Sequence, residues 1–402
     1  MSNTTNGSVV KMMNSIEKLI AEKCPDGVEY KKLEEALDYE QPTKYIVSST
    51  EYDDSYDIPV LTAGQSFILG YTDEISGIYD ASKDNPVIIF DDFTTSFHWV
   101  DFPFKVKSSA MKMLKPKDVK NIDFKYTYYA MTTLKYVPSE HSRQWIGTYS
   151  QFEIPVPPIE VQQEIVRILD KFTELEAKLS EELETRKKQY EYYLNSYFES
   201  NQNNLVPLNE IGSLTRGKRF VHADAVDDGV PCIHYGELYT YYGVYTKDVR
   251  SHIREDLRPK MRYANKGDVI IVGAGENNID IGVGVAYDGD EPVAVHDACY
   301  TLVHKQNSKY ISYYLRSAFY HNQIKKYVSE GKICSISAEG VGRALVPIPS
   351  IEEQERIVAI FDIFDAICND KYNGLQAEIE SRHIQYIYYR DKLLNFNNGV
   401  NA

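Results

Sequence analysis

"IPVPPIEVQQEIVRILDKF" occupies residues 154–172, and "VPIPSIEEQERIVAIFDIF" occupies residues 346–364. At an offset of 192 they share ten identities in the eighteen positions that begin at Pro155: Pro155, Pro157, Ile159, Glu160, Gln162, Ile165, Val166, Ile168, Asp170 and Phe172. The match resumes at an offset of 196, where "ELETRKKQYEYY" (182–193) faces "EIESRHIQYIYY" (378–389) with seven identities in twelve. Chance does not give that density, so the chain writes one segment twice. The change of offset leaves four extra residues in the second copy, about one helical turn, which a continuous helix absorbs as a stutter.

Each copy reads as a long helix with a marked start. Ser350 followed by Glu353 forms a capping box, hydroxyl and carboxylate satisfying first-turn amides. In the first copy Pro158 suits an opening turn and Glu160 faces the positive end of the helix dipole. Apolar residues then recur in steps of three and four, at Ile165, Ile168, Phe172, Leu175, Leu179 and Leu183, and at Ile357, Ile360, Phe364, Ile367, Leu375 and Ile379. From Val161 to Phe198 such a helix would run about 57 Å at 1.5 Å per residue. A stripe of that length needs a partner, and the spacing points to the other copy, in a coiled coil.

Between the helices the pattern is different. Short β-type runs such as "NPVIIF" (85–90), "FPFKV" (102–106), "GDVIIVGAG" (267–275) and "EPVAV" (291–295) are broken by Gly, Asp and Asn turns, and each segment closes on a tyrosine-rich helical stretch. The expected order is an N-terminal segment 1–27, a globular domain 28–153, a long helix 154–203, a second globular domain 204–345 and a second long helix 346–398. The fold class is α+β. The two globular parts align weakly, Leu33 with Leu208 and Glu35 with Glu210.

The net charge of −15 is unevenly placed: residues 28–150 hold 13 basic against 19 acidic side chains, and residues 204–343 hold 17 of each. Basic islands lie inside the globular parts. Lys105, Lys107, Lys112, Lys115, Lys117, Lys120 and Lys125 form one; Arg216, Lys218 and Arg219 of "RGKR" a second; Lys247, Arg250, Arg254, Arg258, Lys260, Arg262 and Lys266 a third. Local islands, rather than net charge, decide contact with phosphate. The competing reading of each is a solvated face, and Glu255 and Asp256 beside the third could hold its arginines in ion pairs.

These features resemble the specificity subunit of type I restriction-modification enzymes, on the doubled "IPxPPxExQxxIVxILDxF" opening, the "RKKQYEYY" ending and the order globular, helix, globular, helix. The resemblance covers Gly27 to Leu394. It implies two target-recognition domains of mixed α/β content separated by two long antiparallel helices, a pseudo-twofold repeat in one chain. It further implies that each domain reads one half of a split site in double-stranded DNA, and that the helices dock two copies of an adenine methyltransferase subunit. An ATP-dependent translocase/endonuclease subunit is a further partner it admits. Because the two globular segments differ in sequence, the site would be non-palindromic. The DNA-facing candidates are Lys105, Lys107, Lys112, Lys115, Lys117 and Lys120 in the first domain, and Arg216, Lys218, Arg219, Arg250, Arg254, Arg258 and Arg262 in the second.

Catalysis is expected from a partner. "GSLTRGKR" (212–219) nearly matches a P-loop, but Arg219 replaces the magnesium-holding hydroxyl and no amphipathic helix follows. Glycines in "VGAGENNIDIGVGV" lack dinucleotide-loop spacing, so a strand turn is the better reading. Asp91 and Asp92 read as structural rather than metal-binding, the nine histidines show no ligand spacing, and no Asn-Pro-Pro-Tyr or Asp-Pro-Pro-Tyr stretch holds a flipped adenine. No cofactor is expected. Five scattered cysteines argue against a disulfide framework or zinc site, and no apolar run reaches the roughly 18 residues of a membrane span. A cytoplasmic location follows. Of the 33 tyrosines, those at helical steps are expected to pack rather than stack on bases. The alternative function is a coiled-coil scaffold that binds other proteins through its globular parts, which leaves the placement of the basic islands unexplained.

Overall fold

The structure, a computed structural model, describes residues 2–64, 66–370 and 373–396. The chain forms two compact units, one of residues 1–177 with 381–402, the other of residues 178–380. The first long helix, Ile159–Ser200, gives its N-terminal half to one unit and its C-terminal half to the other.

In the first unit a four-stranded antiparallel sheet runs in the order Leu37–Glu40, Met111–Pro116, Val87–Asp91, Phe97–Val100. A three-stranded sheet sets Ile58–Leu61 between Ile68–Thr72 and Lys105–Val106, the last pair parallel. "NPVIIF" supplies the central strand: Val87 to Phe90 are wholly buried, as expected of a short continuous apolar run. In the second unit one five-stranded sheet is built on Val269–Val272 of "GDVIIVGAG". Another is built on Val230–Ile233, which lies parallel to Val293–Val295 of "EPVAV".

Both globular parts close in the same way. Glu29–Lys32 pairs antiparallel with Glu153–Val156, and Leu205–Pro207 pairs with Leu345–Pro347, so the chain enters and leaves each domain at one place. A one-turn helix follows each incoming strand, Leu33–Ala36 and Leu208–Ile211, and the aligned Leu33 and Leu208 are both fully buried. The tyrosine-rich stretches form Phe124–Met131 and Ser308–Tyr314, capped by Asp123 and Asn307 through the amides of Tyr126 and Tyr310.

The repeated identities fasten domain to helix. Gln162 and Gln354 are wholly buried. Their amide oxygens accept from the backbone N–H of Asp123 (2.9 Å) and Asn307 (3.0 Å), and their amide nitrogens donate to the carbonyls of Pro157 and Pro349. The hydroxyls of Tyr126 and Tyr310 donate to the Pro155 and Pro347 carbonyls, both at 2.9 Å. Asp170 accepts from Tyr129 (2.6 Å) and pairs with Lys125 (2.9 Å), as Asp362 does with Tyr313 (2.7 Å) and Lys309 (2.7 Å). Buried polar groups must find partners, so these positions are fixed in both copies while the rest of each domain is free to differ.

Three expectations about the helices need correction. The apolar stripe does not serve a coiled coil throughout: Ile165, Ile168 and Phe172 are buried in the core of the first domain, and Ile357 and Phe361 in that of the second. Helix-to-helix packing takes over further along, antiparallel within each unit. Phe172 stacks on Tyr389 at 5.5 Å and Glu176 meets His383 in one, while Tyr190 stacks on Phe364 at 6.1 Å in the other. Second, the later copy is two helices, Ile351–Asn369 and Leu375–Leu394, rather than one with a stutter. Asp370 leaves helical geometry, its carboxylate accepts from Asn373 N–H, and a side chain at Gly374 would strike the Asp370 carbonyl at 2.7 Å. Third, only half of the capping box forms, because Ser350 caps the Glu353 amide while the Glu353 carboxylate pairs with Arg356.

The segment 1–27 holds the helix Ser2–Lys23, with Met13 and Ile16 buried in the core of the first unit and Glu17 paired with Lys392. All five cysteines are free.

Candidate nucleic-acid interface

Two of the thirteen candidate residues are interior. Lys112 is 1% exposed and pairs with Asp92 at 3.2 Å; Asp92, equally buried, also binds Arg143 and the Trp145 amide. Lys105, 3% exposed, pairs with Glu74 at 2.8 Å and donates to the Ser76 carbonyl. The Lys105 hydrogen bond to Glu74 holds that carboxyl below the usual range. Both lysines sit on strands whose neighbouring residues are buried as well, where a charge persists only when paired, and they are structural rather than DNA-facing. The partners are distant in sequence, beyond the reach of a count of local charges. Asp92 is structural as expected; Asp91 accepts from the amides of Phe93 and Thr94.

The other basic residues of the first domain reach the surface. Lys107, Lys117 and Lys120 are exposed; Lys115 is half-buried and donates to Asn85. Lys117 crosses to the Glu34 carbonyl.

In the second domain the arginines divide into two sets. Arg254 pairs with Asp224 (3.0 Å) and Asp256 (3.6 Å), Arg258 with Glu255, and Arg250 lies over the Tyr241 ring. Arg216, Lys218 and Arg262 converge instead on the chain that leaves Val293–Val295, and Arg219, next after Lys218, is exposed. Arg216 donates to the Asp297 carbonyl, the Lys218 amide to the Val295 carbonyl, and Arg262 to the Arg216 carbonyl. The "RGKR" turn follows the strand Gly212–Arg216 and bridges to His296, which no phosphate-cradling helix accompanies.

That end of the sheet also gathers residues that sequence reasoning alone does not single out. Parallel strands finish side by side, so His234, next after Ile233, meets His296, next after Val295, with ring centroids 4.5 Å apart. Phe220 packs edge-on to His296 and Tyr235 tilts against both histidines. His296 is fully engaged, its Nε2 with the Phe220 carbonyl and its Nδ1 with the Ala298 amide. Burial lowers the pKa of both imidazoles below the ordinary histidine value, which favours the neutral, hydrogen-bonding form at pH 7. The available signal was the short pattern "IPVLTAG" (58–64) against "VPCIHYG" (230–236), too brief to weigh without the pairing.

Among the described residues no group of three or more His, Cys, Asp or Glu side chains is placed to hold a metal, and no helix is long and apolar enough to cross a membrane.

Two unlike surfaces, each on the same anchored frame, define a duplicated recognition protein. The chain belongs to the type I restriction modification DNA specificity domain family, which matches residues 25–185 and 201–381. It is 38% identical to the EcoR124I/EcoR124II specificity subunit of Escherichia coli, over 96% of this chain and 97% of that one. It is 28% identical to a putative type I restriction enzyme specificity subunit of Haemophilus influenzae, over 93% and 98%. The fold is shared with the S subunit of the type I restriction-modification system of M. genitalium (TM-score 0.55, 15% identity, 92% and 97% covered). It is also shared with a chain from a study of complex assembly and conformational transition in the type I system (TM-score 0.58, 15% identity, 93% and 99% covered).

Proposed function

We propose that this chain is the specificity subunit of a type I restriction-modification complex, reading a bipartite, non-palindromic DNA site with one half assigned to each globular domain. The observation that carries the reading is the doubled anchor: Gln162 and Asp170 repeat as Gln354 and Asp362 with equivalent partners, while the globular segments they hold differ in sequence. Two adenine methyltransferase subunits dock on the repeated helices. Tyr192 and Tyr388, the same position in the two copies, are both exposed and offer each subunit an equivalent apolar contact. A translocating endonuclease subunit completes the complex. The chain itself performs neither methyl transfer nor cleavage, and it works in the cytoplasm, where its DNA is.

The test is a gel shift and a methyl-transfer assay on the purified chain, with and without its methyltransferase subunit. Specific binding and adenine methylation are expected only from the assembled complex. Transfer by the chain alone, or an assembly that binds all duplexes equally, overturns the reading.

A further inference from the structure

The two domains share one further piece of geometry. In the first, Val60 lies opposite Lys105 and Leu61 opposite Val106; in the second, Cys232 lies opposite Ala294 and Ile233 opposite Val295. The next backbone bonds also match, Lys107 N–H to the Leu61 carbonyl at 3.0 Å and His296 N–H to the Ile233 carbonyl at 3.2 Å. Thr62 and His234 are therefore equivalent positions, the first residues past equivalent strands. Each folds its side chain back over the same turn: Thr62 Oγ1 accepts from the Gly64 amide at 3.3 Å, and His234 Nδ1 from the Gly236 amide at 3.4 Å. An acceptor bond at Nδ1 places the imidazole proton on Nε2. Among the described residues that Nε2–H has no protein acceptor, and neither does the Thr62 hydroxyl proton. Both side chains are half-buried and held by the frame, and both stand beside exposed cations: Lys107 in the first domain, Lys218 and Arg219 in the second.

We propose that Thr62 and His234 are the equivalent base-reading residues of the two domains, each presenting one fixed hydrogen-bond donor to an acceptor on a base edge. The inference rests on the DNA-reading role. A rigid donor between cations that grip phosphate is the arrangement direct readout needs. In the major groove the acceptors are guanine N7 and O6, adenine N7 and thymine O4; the threonine methyl adds a surface suited to the thymine methyl. One position bearing unlike side chains on one frame gives the two half-sites different sequences at no cost in scaffold.

The experiment produces the full chain with its methyltransferase subunit and maps methylated adenines. The unaltered chain establishes the bipartite motif; if no such motif emerges, the DNA-reading role itself fails, and no variant is needed to see it. His234→Asn keeps an oxygen for the Gly236 amide but removes the Nε2 donor. It is expected to relax one base pair of one half-site and leave the other half unchanged, and Thr62→Asn to alter the opposite half. Should a variant give no methylation, its complex is titrated on duplexes differing by one base pair, where discrimination at a single position should shrink at least about fivefold. Unaltered preferences at every position in both variants, or a change in both halves from one substitution, overturns the proposal.

Discussion

Tyr313 donates a hydrogen bond to the carboxylate of Asp362 at 2.7 Å, and the same bond stands 2.6 Å long between Tyr129 and Asp170. In each unit a lysine one turn earlier, Lys309 or Lys125, binds the same carboxylate. One acidic position in a helix thus secures a tyrosine helix whose own domain is otherwise unlike its counterpart. Tyr313→Phe keeps the ring packing and removes one charge-assisted bond, so it should cost about 1.5–3 kcal/mol. Urea denaturation followed in the second unit reads it, and the first unit should keep its midpoint.

Lys112 and Lys117 should separate stability from binding. Lys112→Met leaves Asp92 buried with one partner fewer, and breaking a buried pair in this way costs about 3–5 kcal/mol; thermal unfolding of the variant measures it. Lys117→Glu and Lys120→Glu change exposed groups. They should leave the melting temperature within a degree or two of the parent while weakening binding to every duplex. The log-log salt slope should fall by about 0.9 for each phosphate that the variant no longer neutralises.

The duplicated helices were legible because their identities are dense. What those identities do was not legible, since Gln162, Asp170 and Tyr129 become neighbours only once Phe124–Met131 docks on the helix. The N-terminal helix left a faint signal, Met13, Ile16 and Ile20 at helical steps, in a segment otherwise polar. The second helix reads as continuous because a four-residue insertion preserves helical phase, whereas the break after Asp370 is marked by local hydrogen bonds from the Asn373 and Gly374 amides to Asp370. Of the basic islands, charge density located exposed Lys117 and the Arg216–Arg219 turn. It also gathered Lys105 and Lys112, whose neutralising carboxylates come from distant parts of the chain.

Acid should weaken the second unit before carboxylates begin to protonate. Burial pushes the His304 imidazole down to about 4 from 6.5 and lowers His234, His296 and His321 as well. With folded values below unfolded ones, these groups bind protons first in the unfolded chain. For His304 the contribution is intact above pH 6.5 and falls away as pH drops toward 4, and the other three act in the same direction. For His304 the loss amounts to at most about 3 kcal/mol. Denaturation midpoints at pH 7.5 and 5.5 should therefore differ, and His304→Gln should narrow the difference.

The most direct measurement replaces residues 204–345 with the corresponding segment of a relative that recognises another sequence, then maps methylated adenines made by the swapped chain with its methyltransferase subunit. The strand pair Leu205–Pro207 with Leu345–Pro347 closes that segment on itself, and Gln354 and Asp362 remain to receive it. The expected result is a motif in which one half-site is new and the other is retained base for base. A motif changed in both halves, or one that stays the same in both, would contradict the assignment of one reader to each domain.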